Sequence, residues 1–289
     1  MANTRQVKQR IQTAGNISKI TKAMEMVSAS KMKRAQDQAL SARPYAQALT
    51  DSLQTLAGST DPSLHPLLAH HTEGTDLCIV ITTDKGLSGS MNGQLIKALL
   101  EWLQKYPDGQ VIMVGKKGVT FSKLSGLALY AQFMQLPEKI TTADILPLSS
   151  IILDGFTNRT FKSVQLIYTD FINTLSQKVR TAEMLPLTHS MKAEDKPLKS
   201  VSGQQEYLFE PNAHTILEKL LPYYIENMLF QAFLESKASE HSARMVTMKN
   251  ASENAQELVT ELRLLFNKSR QASITSELLD ITTATLSLE

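Results

Sequence analysis

The sequence predicts an α/β chain. A long antiparallel coiled coil of N- and C-terminal helices accompanies a Rossmann-like α/β middle domain. Three observations predict it. From Asn212 to Leu286 there is no glycine and no proline after Pro222. Thr4 to Ala57 is a second long run with helical spacing. Between them, strand-like apolar runs alternate with helix-like ones, the rhythm of a mostly parallel sheet. The division is 1–57 for the first helix, 76–190 for the middle domain and 208–289 for the last helix.

In the first helix Val7, Ile11, Ala14, Ile17, Ile20, Met24 and Val27 step by three and four, which marks one helical stripe. The helix starts near Thr4 and ends before Gly58, Ser59, Asp61 and Pro62. Pro44 interrupts it and predicts a kink near Arg43, with helix on both sides. Lys31 and Arg34 fall where a self-contained coil would place apolar residues, as do His241 and Ser269 in the last helix. Such a coil has an outer face suited to being gripped by other proteins.

Residues 58–75 read as a polar linker. Its His65, His70 and His71, near Asp61 and Glu73, match no metal-ligand spacing and predict a solvated loop. Asp76 to Thr83 is almost continuously apolar, as a strand buried on both faces requires. Cys78 lies within it, and a single cysteine excludes an internal disulfide. A helix to about Lys105 follows, then a strand Gln110 to Val114, a helix Lys116 to Leu124 and a strand Leu127 to Phe133. Thr141 to Phe156 predicts a helix broken or bounded by Pro147. Ser163 to Asp170 is a strand, and Thr174 to Leu187 a weak extended segment. Residues 191–211 form a polar loop.

The last helix carries Leu217, Leu220, Leu221, Tyr224 and Met228, then Met245, Met248, Ala251, Ala255, Leu258, Leu262, Leu265 and Phe266 on one stripe. Unbroken, it would be roughly 110 Å long at 1.5 Å per residue. A helix of that length needs a partner, and the first helix is the candidate. Charge agrees. Through Ala57 there are nine basic residues against three acidic ones, whereas the last helix leans acidic through Glu226, Glu235, Glu240, Glu253, Glu257, Glu261, Glu277 and Asp280. The surplus positive charge between Lys19 and Arg34 is free to meet an acidic partner.

No chemistry-bearing constellation emerges. Gly86, Gly89 and Gly93 follow a strand and precede a helix, but their spacing is neither G-x-G-x-x-G nor a P-loop. The expectation is a tight turn with glycines at positive φ. Gly115-Lys116-Lys117-Gly118 fails the same test. His189, His214 and His241 have no nucleophile beside them, and no serine sits in a G-x-S-x-G elbow. No catalytic, cofactor-binding or metal-binding residue is expected. The basic helix lacks aromatic interleaving, which points away from nucleic acid and anionic membranes. No apolar run approaches the length of a bilayer span, so membrane association would come through other subunits. The composition, 42% hydrophobic and 20% charged with a net charge of +2, is ordinary for a soluble protein.

Two blocks carry a specific resemblance. One is Lys19-Ile20-Thr21-Lys22-Ala23-Met24-Glu25-Met26-Val27-Ser28-Ala29-Ser30-Lys31-Met32-Lys33-Arg34-Ala35. The other runs from Glu235-Ser236-Lys237-Ala238-Ser239-Glu240-His241 to Ala251, and continues in Asn267 to Glu277. Both resemble the gamma subunit of bacterial F-type ATP synthase, the central rotor shaft. Thr83 to Asn92, Phe171 to Leu187 and Glu206 to Pro211 match as well, with Lys85 where Arg is more usual and Ser88 where Cys is common.

The resemblance implies a non-catalytic subunit, one copy per complex. It would turn inside a ring of three alpha and three beta subunits and stand, with epsilon, on the c-subunit ring. Rotation would couple ion flow to ATP synthesis or hydrolysis at the cytoplasmic face of the bacterial inner membrane. It also implies contacts with beta through Met24, Lys31, Lys33, Arg34, Arg244, Gln271, Thr275 and Glu277. Tyr207 and Glu210 would lie in the foot near epsilon and the c ring. The alternatives are a divergent sodium-coupled relative, a nucleotide-binding coiled-coil adaptor, which would bind ATP as the isolated protein, and a nucleic-acid-binding coil with steeply salt-dependent DNA binding.

Overall fold

The computed structural model describes residues 4–58, 65–187 and 212–286. Five helices and five strands follow in the order α1 (Thr4–Gly58), β1 (Thr75–Ile81), α2 (Met91–Lys105), β2 (Gln110–Val114), α3 (Lys116–Ser125), β3 (Ala131–Phe133), α4 (Leu146–Thr157), β4 (Phe161–Phe171), β5 (Gln177–Leu185) and α5 (Ala213–Leu286). The chain divides into two compact units, one made of 1–29 with 244–289, the other of 30–243.

The second unit holds the sheet, ordered β3-β2-β1-β4-β5. β1 pairs in parallel with β2 and β4, β2 pairs in parallel with β3, and β5 closes the edge antiparallel to β4. The strand order reverses between β1 and β4, as in doubly wound folds. The apolar run of β1 now has its reason. Leu77, Ile79 and Ile81 enter one core and Cys78 and Val80 the other. The second core is completed by Leu95, Leu99 and Trp102 of α2. The first is closed by α4 (Leu148, Ile152, Phe156) and by Leu217, Leu221, Ile225, Leu229, Ala232 and Phe233 of α5. This part of α5 is therefore a layer of the α/β domain.

Several expectations are corrected. Residues 65–68 are not a solvated loop. Leu67 and Leu68 are buried in the first core, His65 is buried with its Nδ1 accepting the Leu67 N–H, and the His71 ring packs 4.6 Å from Phe156. β3 begins only at Ala131, because Leu127 is used to finish α3. Gly126 turns left-handed and the Leu127 N–H returns to the Ser122 carbonyl. The helix expected from Thr141 is split. Thr141 and Asp144 form a capping box on one 3-10 turn, and α4 then opens with Pro147 in its first turn. Two expectations hold: the weak extended segment after Thr174 is strand β5, and α1 has helix on both sides of Pro44.

The first unit pairs the start of α1 with the second half of α5. On α1 the residues turned inward are Val7, Ile11, Ala14, Ser18, Thr21, Glu25 and Ser28, steps of four and three throughout. On α5 they are Met245, Met248, Ser252, Ala255, Val259, Leu262 and Phe266. A repeat of seven on both helices is the pattern of a coiled coil.

This corrects the apolar stripes read from sequence. Ile17, Ile20 and Val27 are 47%, 59% and 55% exposed, and Leu258 and Leu265 also face out. In their place the seam holds Ser18, Thr21, Ser28 and Ser252. Small seam residues let two backbones approach closely, while following the bulky residues alone shifts the phase by one position.

Candidate functional site

With part of its bulky residues turned out, the first unit exposes the apolar side chains of Ile17, Ile20, Met26 and Val27 of α1 and Leu258, Leu264 and Leu265 of α5. Beyond Ser269 every described side chain of α5 through Thr283 is exposed, including Ile274, Leu278, Leu279 and Ile281. An isolated helix of this length is marginal in water. Exposed bulky apolar side chains in this number along one coil mark a protein contact site.

The expected contact residues fall on both units. Met24 is half-buried, and Gln271, Thr275 and Glu277 are exposed on the last turns of α5. The Thr275 hydroxyl donates to the Gln271 carbonyl at 2.9 Å, and Glu277 accepts from Ser273 at 3.3 Å. These bonds keep the side chains close to their own helix. Arg244 is only 7% exposed, so its side chain is largely covered within the chain.

In the second unit the three basic residues are engaged within the chain. Lys33 pairs with Asp37 at 2.9 Å, and the Arg34 guanidinium donates to the Ser30 hydroxyl at 3.2 Å. Lys31 reaches Glu138, in the loop after β3, at 2.7 Å, and His241 Nε2 lies 3.1 Å from the same carboxylate. Burial raises the Glu138 pKa. The Lys31 hydrogen bond and the charges of His241, Lys31 and Lys237 outweigh that and hold it below its ordinary value. Gln38 donates to the Ile140 carbonyl at 3.1 Å, a second tie between α1 and this loop. Tyr207 and Glu210 lie outside the described residues. Glu138 left no trace in the sequence pattern, since a lone loop carboxylate has no periodic signature.

The crevice where a doubly wound domain receives a nucleotide is filled by the chain itself. At the ends of β1 and β2, a cavity of only about 10 Å³ remains among Thr82, Thr83, Asp84 and Gly115, closed by Phe233, Ser236, Lys237 and Glu240 of α5. That is at the lower limit for one water molecule.

The start of α3, which could hold a phosphate, already has an anion. The Asp84 carboxylate accepts the Lys116 N–H at 2.9 Å and the Gln135 N–H at 3.3 Å. Gly115 takes φ +94°, and a side chain there would strike the Thr82 carbonyl. In the loop after β1, only Gly89 among the three glycines has positive φ, and Leu87 shares that conformation. Asn92 holds the loop to Thr83 at 2.8 Å.

Comparison with known proteins decides the family. The ATP synthase family model ATP-synt matches residues 3–288. An ATP synthase gamma chain of Dehalococcoides mccartyi is 41% identical over 286 residues, covering 97% of both chains. The chain belongs to the ATP synthase gamma-chain family. The gamma chain of Xylella fastidiosa is 37% identical, over 97% of this chain and 98% of that one.

Among solved structures, a chain of the Euglena gracilis mitochondrial ATP synthase (OSCP, F1 and c-ring) has a TM-score of 0.71 at 20% identity. It covers 99% of this chain and 94% of that one, and shows the shared fold. A chain of the Tetrahymena thermophila mitochondrial central stalk and c-ring has a TM-score of 0.58 at 26% identity, over 81% and 99%. The long terminal helices and mixed five-stranded sheet are thus those of a gamma chain. Among the described residues no helix is long and apolar enough to cross a membrane.

Proposed function

We propose that this chain is the non-catalytic central-stalk rotor of an F-type ATP synthase. It couples ion flow through a c-subunit ring to ATP synthesis or hydrolysis in a ring of three alpha and three beta subunits. Alpha, beta, epsilon and the c ring are its partners. It associates peripherally with the membrane complex through them, at the cytoplasmic face of the bacterial inner membrane.

One observation of the structure carries the reading beyond family membership. Along its middle the coil of the first unit keeps Ser18, Thr21, Ser28 and Ser252 for its own seam and turns Ile17, Ile20, Val27 and Leu258 outward. Such a surface is built to be enclosed, and contacts of low specificity let an enclosed shaft turn. Met24, Gln271, Thr275 and Glu277, together with the largely covered Arg244, are the proposed contacts with beta. Lys31, Lys33 and Arg34 form the proposed basic collar, and Tyr207 and Glu210 the proposed foot toward epsilon and the c ring. In functional terms, the coil within the terminal helices 1–57 and 208–289 serves as the shaft, and 76–190, with the part of α5 layered on it, as the foot domain.

The test is co-purification. The tagged chain is expressed in its own host, the membranes are solubilised gently, and the partners are identified by mass. The expected result is alpha and beta subunits in threefold excess over this chain, with no ATPase activity in the isolated chain. Recovery of the chain alone, or with unrelated partners, overturns the reading.

A further inference from the structure

In the first unit the Ser18 hydroxyl reaches the Ser252 carbonyl at 3.4 Å, and the Ser252 hydroxyl returns to the Ser18 carbonyl at 3.2 Å. Thr21, one turn on, donates to the same Ser18 carbonyl at 3.1 Å. Around its middle the seam is built of Ala14, Ser18, Thr21, Ser252 and Ala255, whose shallow holes resist sliding poorly, since little steric interlock must be undone there. The reciprocal pair supplies what the packing lacks. Slipping the antiparallel helices by one heptad would carry Ser18 to Met245 or Val259, and Ser252 to Ile11 or Glu25. Either slip breaks both bonds and forces bulky side chains into a position sized for serine.

We propose that Ser18 and Ser252 are positioning residues that pin the register of this coil, so that its two helices turn as one body and do not slide during turnover. The inference rests on the rotor reading above. It does not need Ser18 or Ser252 to touch another subunit. The exposed bulky side chains are those of Ile17, Ile20 and Val27, whereas Ser18 and Ser252 turn toward each other in the seam.

The test uses the assembled complex in membrane vesicles. In Ser18→Cys with Ser252→Cys, a disulfide replaces the hydrogen-bonded pin. The native cysteine of the chain, Cys78, is fully buried and burial pushes its thiol pKa up, so it does not compete. ATP-driven ion pumping by the reduced variant tests the rotor reading, and the ratio of oxidised to reduced pumping tests the pin. The expected result is a disulfide that forms readily and leaves pumping unchanged. Pumping that is lost on oxidation and restored by dithiothreitol means the helices must slide, and overturns the proposal.

A second variant reports register with position 18 intact. Ala14→Cys with Leu262→Cys cross-links only when the coil has slipped by one heptad. Adding Ser252→Ala is expected to raise that yield about two- to tenfold, the shift one neutral hydrogen bond gives an equilibrium. Ser252→Thr, which keeps the hydroxyl, should return it to the starting level. A yield indifferent to Ser252→Ala overturns the proposal, because a hydroxyl that merely fills space would not change which residue the cysteine introduced at position 14 meets.

Discussion

The register of the coil makes a prediction that the apolar stripe would reverse. Ile20 is 59% exposed, so Ile20→Ser gives up only about two-fifths of a buried isoleucine. Full burial of such a side chain is worth about 1.5–3 kcal/mol, which leaves a cost near 1 kcal/mol. Isoleucine and serine have similar helix propensity, so little is added there. Ser28 is 3% exposed in the seam, and Ser28→Leu must force a much larger, branched side chain into it. Overpacking of this kind costs about 1–3 kcal/mol, and the close approach of small residues puts this site at the upper end. The assay is urea unfolding of the full chain, followed by helical circular dichroism. Emission from Trp102, the single tryptophan, buried in the second unit, monitors that unit independently. Ser28→Leu should shift the helical transition more than Ile20→Ser and leave the Trp102 transition in place. If Ile20 lay in the seam, its truncation would cost about 2–5 kcal/mol, while leucine at position 28 would be harmless. The reverse order of the two variants would refute the register.

Other expectations follow from single contacts. Gln271→Ala should lower coupled ATP synthesis in vesicles without lowering the amount of assembled complex. Combined with Arg244→Ala it should also lower the melting temperature, since Arg244 is 7% exposed. Met24→Lys should impair ATP-driven ion pumping by adding positive charge to the contact surface, and unchanged pumping removes Met24 from that surface. Gly115→Ala should destabilise the second unit by more than about 2 kcal/mol, from positive φ and a clash with the Thr82 carbonyl, read as a shift in the Trp102 transition. Glu138 has a depressed pKa, so its contribution is complete above its ordinary value of 4.5 and is lost as pH falls through the lower folded value. Glu138→Gln should therefore melt lower than the parent at neutral pH. The two curves should converge in acid, by a modest amount because the carboxylate is half-exposed and screened.

How far the sequence reached depended on where the physical signal lay. β1 was legible because burial on both faces demands an uninterrupted apolar run, and Leu77 to Ile81 supplies one. α2 and β2 were legible because Pro107, Asp108 and Gly109 punctuate them. β5 was faint because it is an edge strand, and most of its residues are only partly covered. The seam was misread because hydrophobicity identifies it only when bulky side chains fill it. Here Ser18, Thr21 and Ser28 take the middle of it on α1 and Ser252 on α5, between bulkier seam residues such as Val7, Ile11, Met248 and Val259, and across that stretch the signal that survives is spacing, seven residues on both helices. Asp84 and Glu138 could not be found from sequence. Each works across long separations in the chain, Asp84 on Lys116 and Gln135, Glu138 on Lys31 and His241.

The same assignment of residues explains why the α/β domain carries no ligand signature although its topology is that of a nucleotide-binding fold. In such a fold the reversal of strand order opens a crevice, and the phosphate sits at a helix start beside it. Here Phe233, Ser236, Lys237 and Glu240 of α5 occupy the crevice and Asp84 occupies the helix start. Both features that would recognise a nucleotide are thus spent on holding α5 and the neighbouring loops in place. From Ala232 to Ser242 every side chain of α5 is buried or half-buried, which a surface helix would not show. A domain that must pass torque to a helix needs this encircling grip. A one-sided stripe would let the helix roll about its own axis, whereas packing on all sides resists both rolling and axial slip.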